Sequence, residues 1–177
     1  MFASLRSRAA VVLVAAIGLT GCAQHSPSTA FTVNGRSVSM GELETATEGC
    51  ARVTPEVPAS SVTRQVREWA LDGLVADAVA RRAGITLDDE KARAVVRESG
   101  QDNLLRNPDC ARVAMSGAKL VLAAGTVGEK GAEMVKQLDI SVNPRIGAWD
   151  AQQLRLAHYE GRLSELAPQT DDSGRQG

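Results

Sequence analysis

Residues 31–42, Phe31-Thr32-Val33-Asn34-Gly35-Arg36-Ser37-Val38-Ser39-Met40-Gly41-Glu42, decide how this chain folds. β-Forming residues flank Asn34-Gly35, a pair that accepts the positive φ angles of a type I′ turn, so residues 31–38 predict a small hairpin. Ser39 comes directly after, and Glu42 completes a capping box in which each side chain satisfies a backbone N–H that a helix start leaves free. The hairpin therefore hands the chain directly to a helix, expected over about Met40 to Arg52.

Beyond Arg52 the pattern is mainly helical. Pro55 and Pro58 interrupt the segment Thr54 to Ala59, and Ser60 or Ser61 is expected to cap the next helix. From Val62 to Ala83 the residues Val62, Val66, Trp69, Gly73, Ala76 and Ala80 recur at helical spacing, with Arg64, Arg67, Glu68 and Asp77 on other faces. Gly84 is the natural stop. Ile85 to Leu87 reads as an extended link, and Asp88 caps a helix over about Asp89 to Ser99. Gly100 to Pro108 reads as a loop. A fourth helix begins near Asp109 and packs through Val113, Gly117, Leu120, Val121 and Ala124, although a mid-helix Gly117 costs about 1 kcal/mol relative to Ala. Val127 to Leu138 suits a shorter helix. Ile140 to Val142 reads as extended, a conformation that Pro144 enforces on Asn143. Leu154 to Leu166 is expected to form a last helix, and Pro168 to Gly177 a disordered tail.

Upstream, the sequence speaks of address. Met1 to Arg8 is short and cationic, and Ala9 to Leu19 is an apolar run too short to span a bilayer but suited to export. It ends in Leu19-Thr20-Gly21-Cys22, which resembles the lipobox of bacterial lipoproteins. That resemblance implies a signal peptide over residues 1–21, cleavage before Cys22, and a diacylglycerol on the Cys22 thiol, with fatty acids such as palmitate holding the protein to the extracytoplasmic face of the cell membrane. An ordinary signal peptide with a cysteine near its cleavage site is the alternative. Residues 22–30 are small and polar and are expected to form a tether, leaving residues 31–167 as one domain.

Removing residues 1–21 from the 177-residue chain leaves 156, enough for a single core. The loss of Arg6 and Arg8 leaves 18 basic against 21 acidic residues, a net charge of −3 with no long run of either sign. A nucleic-acid partner is disfavoured, because phosphate binding needs a clustered basic surface. With Cys22 assigned to lipid, Cys50 and Cys110 remain in an oxidising compartment, and a disulfide is their simplest pairing. Two separate buried thiols and a metal pair are the alternatives. Neither His25 nor His158 has zinc-ligand spacing to these cysteines.

Catalytic signatures fail one by one. Gly125 to Gly131 lacks the spacing and the flanking strand of a phosphate loop, and reads as a link between helices. No Gly-x-Ser-x-Gly elbow accompanies His158, which reads as an exposed helix residue. Asp88, Asp89 and Glu90 suit a helix start better than acid–base work. No enzyme, cofactor or metal is expected. Trp69 should anchor the core, whereas Trp149 either packs a returning strand against the hairpin or lines an apolar client groove.

The order of these motifs is familiar. Val33-Asn34-Gly35 with Ser39 and Glu42, then a long helix ending in Arg81-Arg82-Ala83-Gly84-Ile85-Thr86, then Asp88-Asp89-Glu90, resembles the N-terminal chaperone domain of SurA- and PrsA-type foldases. Val142 to Asp150 resembles the segment that in such domains returns as a strand beside the hairpin. The resemblance covers residues 31–150. It implies a mostly α fold with a small β element formed by the N-terminal hairpin and a C-terminal strand at about 145–150. It also implies a chaperone-like holdase for extended segments of exported proteins, with Trp149 as a candidate client contact. The chain has no room for the parvulin module of complete foldases between Asp88 and Asn143. A scaffold binding one folded envelope protein is the alternative.

Overall fold

The computed structural model describes residues 26–158, so the signal segment, Cys22, His25 and the tail at 168–177 lie outside the described residues. Within them the fold is mostly α with a small antiparallel β element. Strands β1 (Thr29–Val33) and β2 (Arg36–Ser39) form the expected hairpin around Asn34 and Gly35, both at positive φ. Ser39 and Glu42 then make the complete capping box of α1 (Met40–Val53). The Ser39 N–H and hydroxyl both donate to Glu42 at 2.7 Å, and these hydrogen bonds hold the Glu42 carboxyl below the usual range.

Helix α2 (Ala59–Ala83) is the spine, closed by Gly84. It begins earlier than its serines suggested. Pro58 is the N-cap, whose carbonyl accepts from the N–H groups of Ser61 and Val62 and whose ring offers no side-chain cap, so Ser60 and Ser61 lie inside the first turn. Helix α3 (Asp89–Glu98) is capped by Asp88, whose side chain accepts from the Lys91 N–H at 2.9 Å. The expected loop after it contains a 3₁₀ turn, Asp102–Arg106. In α4 (Pro108–Val127), Asn107 caps the Asp109 and Cys110 N–H groups and Pro108 occupies the first helical position, where a missing donor costs nothing. The short α5 (Lys130–Lys136) comes next.

α2 and α4 pack together through small residues. A Cβ placed on Gly117 would collide with the ring of half-buried Trp69, and one on Gly73 would lie 2.6 Å from Ser116 Cβ. The mid-helix Gly117, unfavourable for the isolated helix, is what lets the indole lie across α4. Buried Ala70, Ala76, Ala114 and Ala118 continue this interface, and Val66, Leu71 and Val79 fill the core beside it.

The C-terminal part departs from expectation. Strand β3 (Ile140–Val142) is the one that returns beside the hairpin, pairing Phe31 with Val142 and Val33 with Ile140 in a sheet of order β2-β1-β3. Residues 145–150 do not join that sheet. Asn143, 5 % exposed, turns the chain away: its amide donates to the Thr29 carbonyl at 2.7 Å, its Oδ1 accepts from the Arg145 N–H, and its backbone carbonyl accepts from Ile146. Strand β4 (Gly147–Asp150) instead pairs with β5 (Arg155–His158) in a separate hairpin. The helix expected from Leu154 is therefore a strand at its start. Asp150 accepts from the N–H groups of Gln152 and Gln153, and Leu154 takes a positive φ, which closes a tight turn in place of a helical one. The tether is also shorter than expected, since Thr29 and fully buried Ala30 already belong to β1.

Candidate functional site

Cys50 and Cys110 are joined in a disulfide that ties the end of α1 to the first turn of α4, both residues being buried. The acidic residues at the start of α3 have structural partners: Asp88 caps the helix, and Asp89 bonds Lys119 of α4 at 2.7 Å, which lowers its carboxyl. Neither residue lines any of the clefts described below. Among the described residues, no group of three His, Cys, Asp or Glu side chains is placed to hold a metal ion.

The concave surface lies where the β4–β5 hairpin meets α2. In that hairpin Trp149 stands opposite Leu156, and Gly147 opposite His158, so these four share one face and direct it at the helix. A Cβ on Gly147 would strike the Ala157 carbonyl, so the two strands approach closely at this end. His158 Nε2 lies 2.9 Å from Glu68 Oε1, and the imidazole is only 17 % exposed. The expectation of an exposed helical histidine is thus corrected: a strand carries it inward, where it fastens the hairpin to α2.

Two clefts flank this contact. A polar one of about 600 Å³ is bounded by Arg64, Glu68, Asp72, Trp149, Arg155 and His158. An apolar one of about 270 Å³ lies among α2, α4 and α5, bounded by Val75, Val79, Leu120, Val127, Val135 and Trp149. Asp72, Trp149 and Leu154 line both and form the seam. Of the two roles expected for Trp149, the observed position is at a groove. Its cross-strand partner is Leu156, and it does not pack a strand against the N-terminal hairpin.

Asp72 was not singled out from the sequence. It sits half-buried one turn from Glu68, and burial, with the Glu68 charge adding to it, pushes its carboxyl up to about 7. One signal pointed to it: like charges four residues apart on a helix repel, so Glu68 and Asp72 on one face need a reason to be there. A third cleft, about 250 Å³, lies beside the disulfide among Cys50, Thr54, Val62, Trp69, Gln101 and Leu104.

No family model, no curated protein and no solved structure matches this chain.

Proposed function

We propose that the protein is an exported, non-enzymatic lipoprotein, held by Cys22 to the extracytoplasmic face of the cell membrane, which acts as a holdase for extended segments of exported proteins. Its address rests on Leu19-Thr20-Gly21-Cys22, and its likeness to SurA- and PrsA-type domains on the motif order of residues 31–150. One observation carries the binding role: the apolar cleft of about 270 Å³ beside Trp149, open along α2 and walled by aliphatic side chains from α2, α4 and α5. Such a cleft admits one or two apolar side chains of a passing chain. Affinity is then weak, because an unfolded segment loses conformational freedom when it docks.

Two measurements test this. Cys22→Ala should abolish fatty-acid labelling and release the protein from membranes or leave its precursor unprocessed; unchanged labelling removes the lipoprotein reading. The purified domain should slow aggregation of several unrelated denatured proteins at micromolar or weaker affinity, and Trp149→Ala should lessen that protection. A domain that ignores such clients and retains one folded envelope protein through a patch of about 800 Å² per side is a dedicated partner instead of a holdase.

A further inference from the structure

The face of α2 toward the clefts changes character one turn at a time, from Arg64 through Glu68 and Asp72 to Val75 and Val79. The carboxylates differ in their engagement. Glu68 is bonded to His158, whereas no hydrogen bond reaches the Asp72 side chain from any described residue. The charged and titratable groups lining the polar cleft with Asp72 are Arg64 and Glu68 from α2, and Arg155 and His158 from β5, and of these the Glu68 charge is the one that acts on Asp72. From α4 and α5, Leu120, Ala123, Ala124, Val127, Ala132 and Val135 present no charge. A carboxylate unpaired among the described residues thus stands at the mouth of an apolar cavity, beside the indole of Trp149.

We propose that this seam binds an extended peptide segment in which an apolar side chain is followed by a lysine or arginine: the apolar group enters the cavity at Val75 and Val79, and the cation pairs with Asp72. This inference rests on the reading of the clefts as a client site and specifies which clients it selects. Charge complementarity supplies the argument: of the three residues that line both clefts Asp72 alone is charged, Arg64 and Arg155 bordering the polar cleft only, and the Trp149 ring adds a surface that a cation favours. The cavity, at about 270 Å³, is just below the roughly 300–1,000 Å³ of sites that enclose whole small molecules, so it suits a side chain better than an acyl chain. The raised carboxyl of Asp72 fits this role. Protonated, it tolerates the empty cleft; an arriving cation favours the ionised form and expels the proton. Affinity therefore rises as pH increases through about 7 and levels off above.

The test is calorimetric titration of the purified domain with blocked peptides of serine and glycine carrying one Leu-Lys pair, against controls carrying Leu-Gln or Ser-Lys. The Leu-Lys peptide should bind about tenfold more tightly than either control, and Asp72→Asn should remove that advantage over Leu-Gln. Binding near pH 7 should release protons, seen as a heat that varies with the buffer's ionisation enthalpy. Asp72→Asn keeps the side chain's shape, and its unfolding midpoint verifies that it folds. Equal binding of Leu-Lys and Leu-Gln, or wild-type selectivity in Asp72→Asn, overturns the proposal. Aggregation protection without peptide selectivity overturns it alone and leaves the holdase reading standing. Loss of both removes the two together.

Discussion

Two faces of α2 are built differently. Around Trp69 and Gly73, α2 presses against α4 so closely that no Cβ fits on Gly117, and a buried disulfide ties α1 to α4 nearby. Around Asp72 and Glu68, the facing element is a two-stranded hairpin that leaves open clefts and a carboxylate unpaired among the described residues. On the first face glycines let α2 and α4 meet without a gap, whereas on the second Asp72, Val75 and Val79 of α2 border open clefts. Stability should therefore concentrate at the first face and binding at the second, as expected when binding elements come from the less tightly packed part of a fold.

The largest expected effect is at the tied face. Reducing the Cys50–Cys110 bridge, or replacing both cysteines with alanine, frees a loop of about 60 residues in the denatured chain and should lower stability by about 2–4 kcal/mol in urea unfolding. An unchanged midpoint would place the stability elsewhere. Next comes Gly117→Val, which forces a branched side chain into the Trp69 ring and should cost about 2–3 kcal/mol. Gly125→Ala in the same helix, where a Cβ meets nothing within 4 Å, should instead gain up to about 1 kcal/mol. If the two substitutions behave alike, close packing does not distinguish this face.

A smaller loss sharpens the other side. Asp72 is raised from 3.8 to about 7 in the folded protein, so between these values the folded state keeps a proton that the unfolded state has released. Its contribution is thus most favourable below about pH 4 and declines as pH rises through 7. Asp72→Asn should therefore stabilise the protein at pH 8 by about 1–2 kcal/mol, allowing for partial exposure, and change little at pH 4. Thermal melts at the two pH values measure this, and an equal shift at both would show that the carboxyl is not strained by its surroundings.

The sequence made the helix ends legible because their signals are local. Ser39 with Glu42, Asp88 and Gly84 mark them through bonds to residues three or four positions away, and the structure uses them so. Gly117 was visible as a defect, but its purpose required the Trp69 ring from another helix. The cleft side was hidden for the same reason. The β3 partner of Phe31 lies more than a hundred residues later, and the β4–β5 turn uses Leu154 at positive φ without the glycine that announces most hairpins. Asp72 carries meaning only once β5 has placed His158 on Glu68, a pairing across 90 residues.

Asn143 reaches back to the Thr29 carbonyl across 114 residues, and Asp139 and Asn34 exchange two further bonds at the other end of the same strand pair. Helices α1 to α5 are in effect threaded onto one clasp. A chain synthesised amino-terminus first presents β1 long before β3 exists, so the central strand must wait with one edge unpaired until the whole helical body has been made. During that interval the nascent protein displays the same kind of extended, unsatisfied segment that it is proposed to shield in others. Its own maturation would then draw on whatever protection other chaperones already provide.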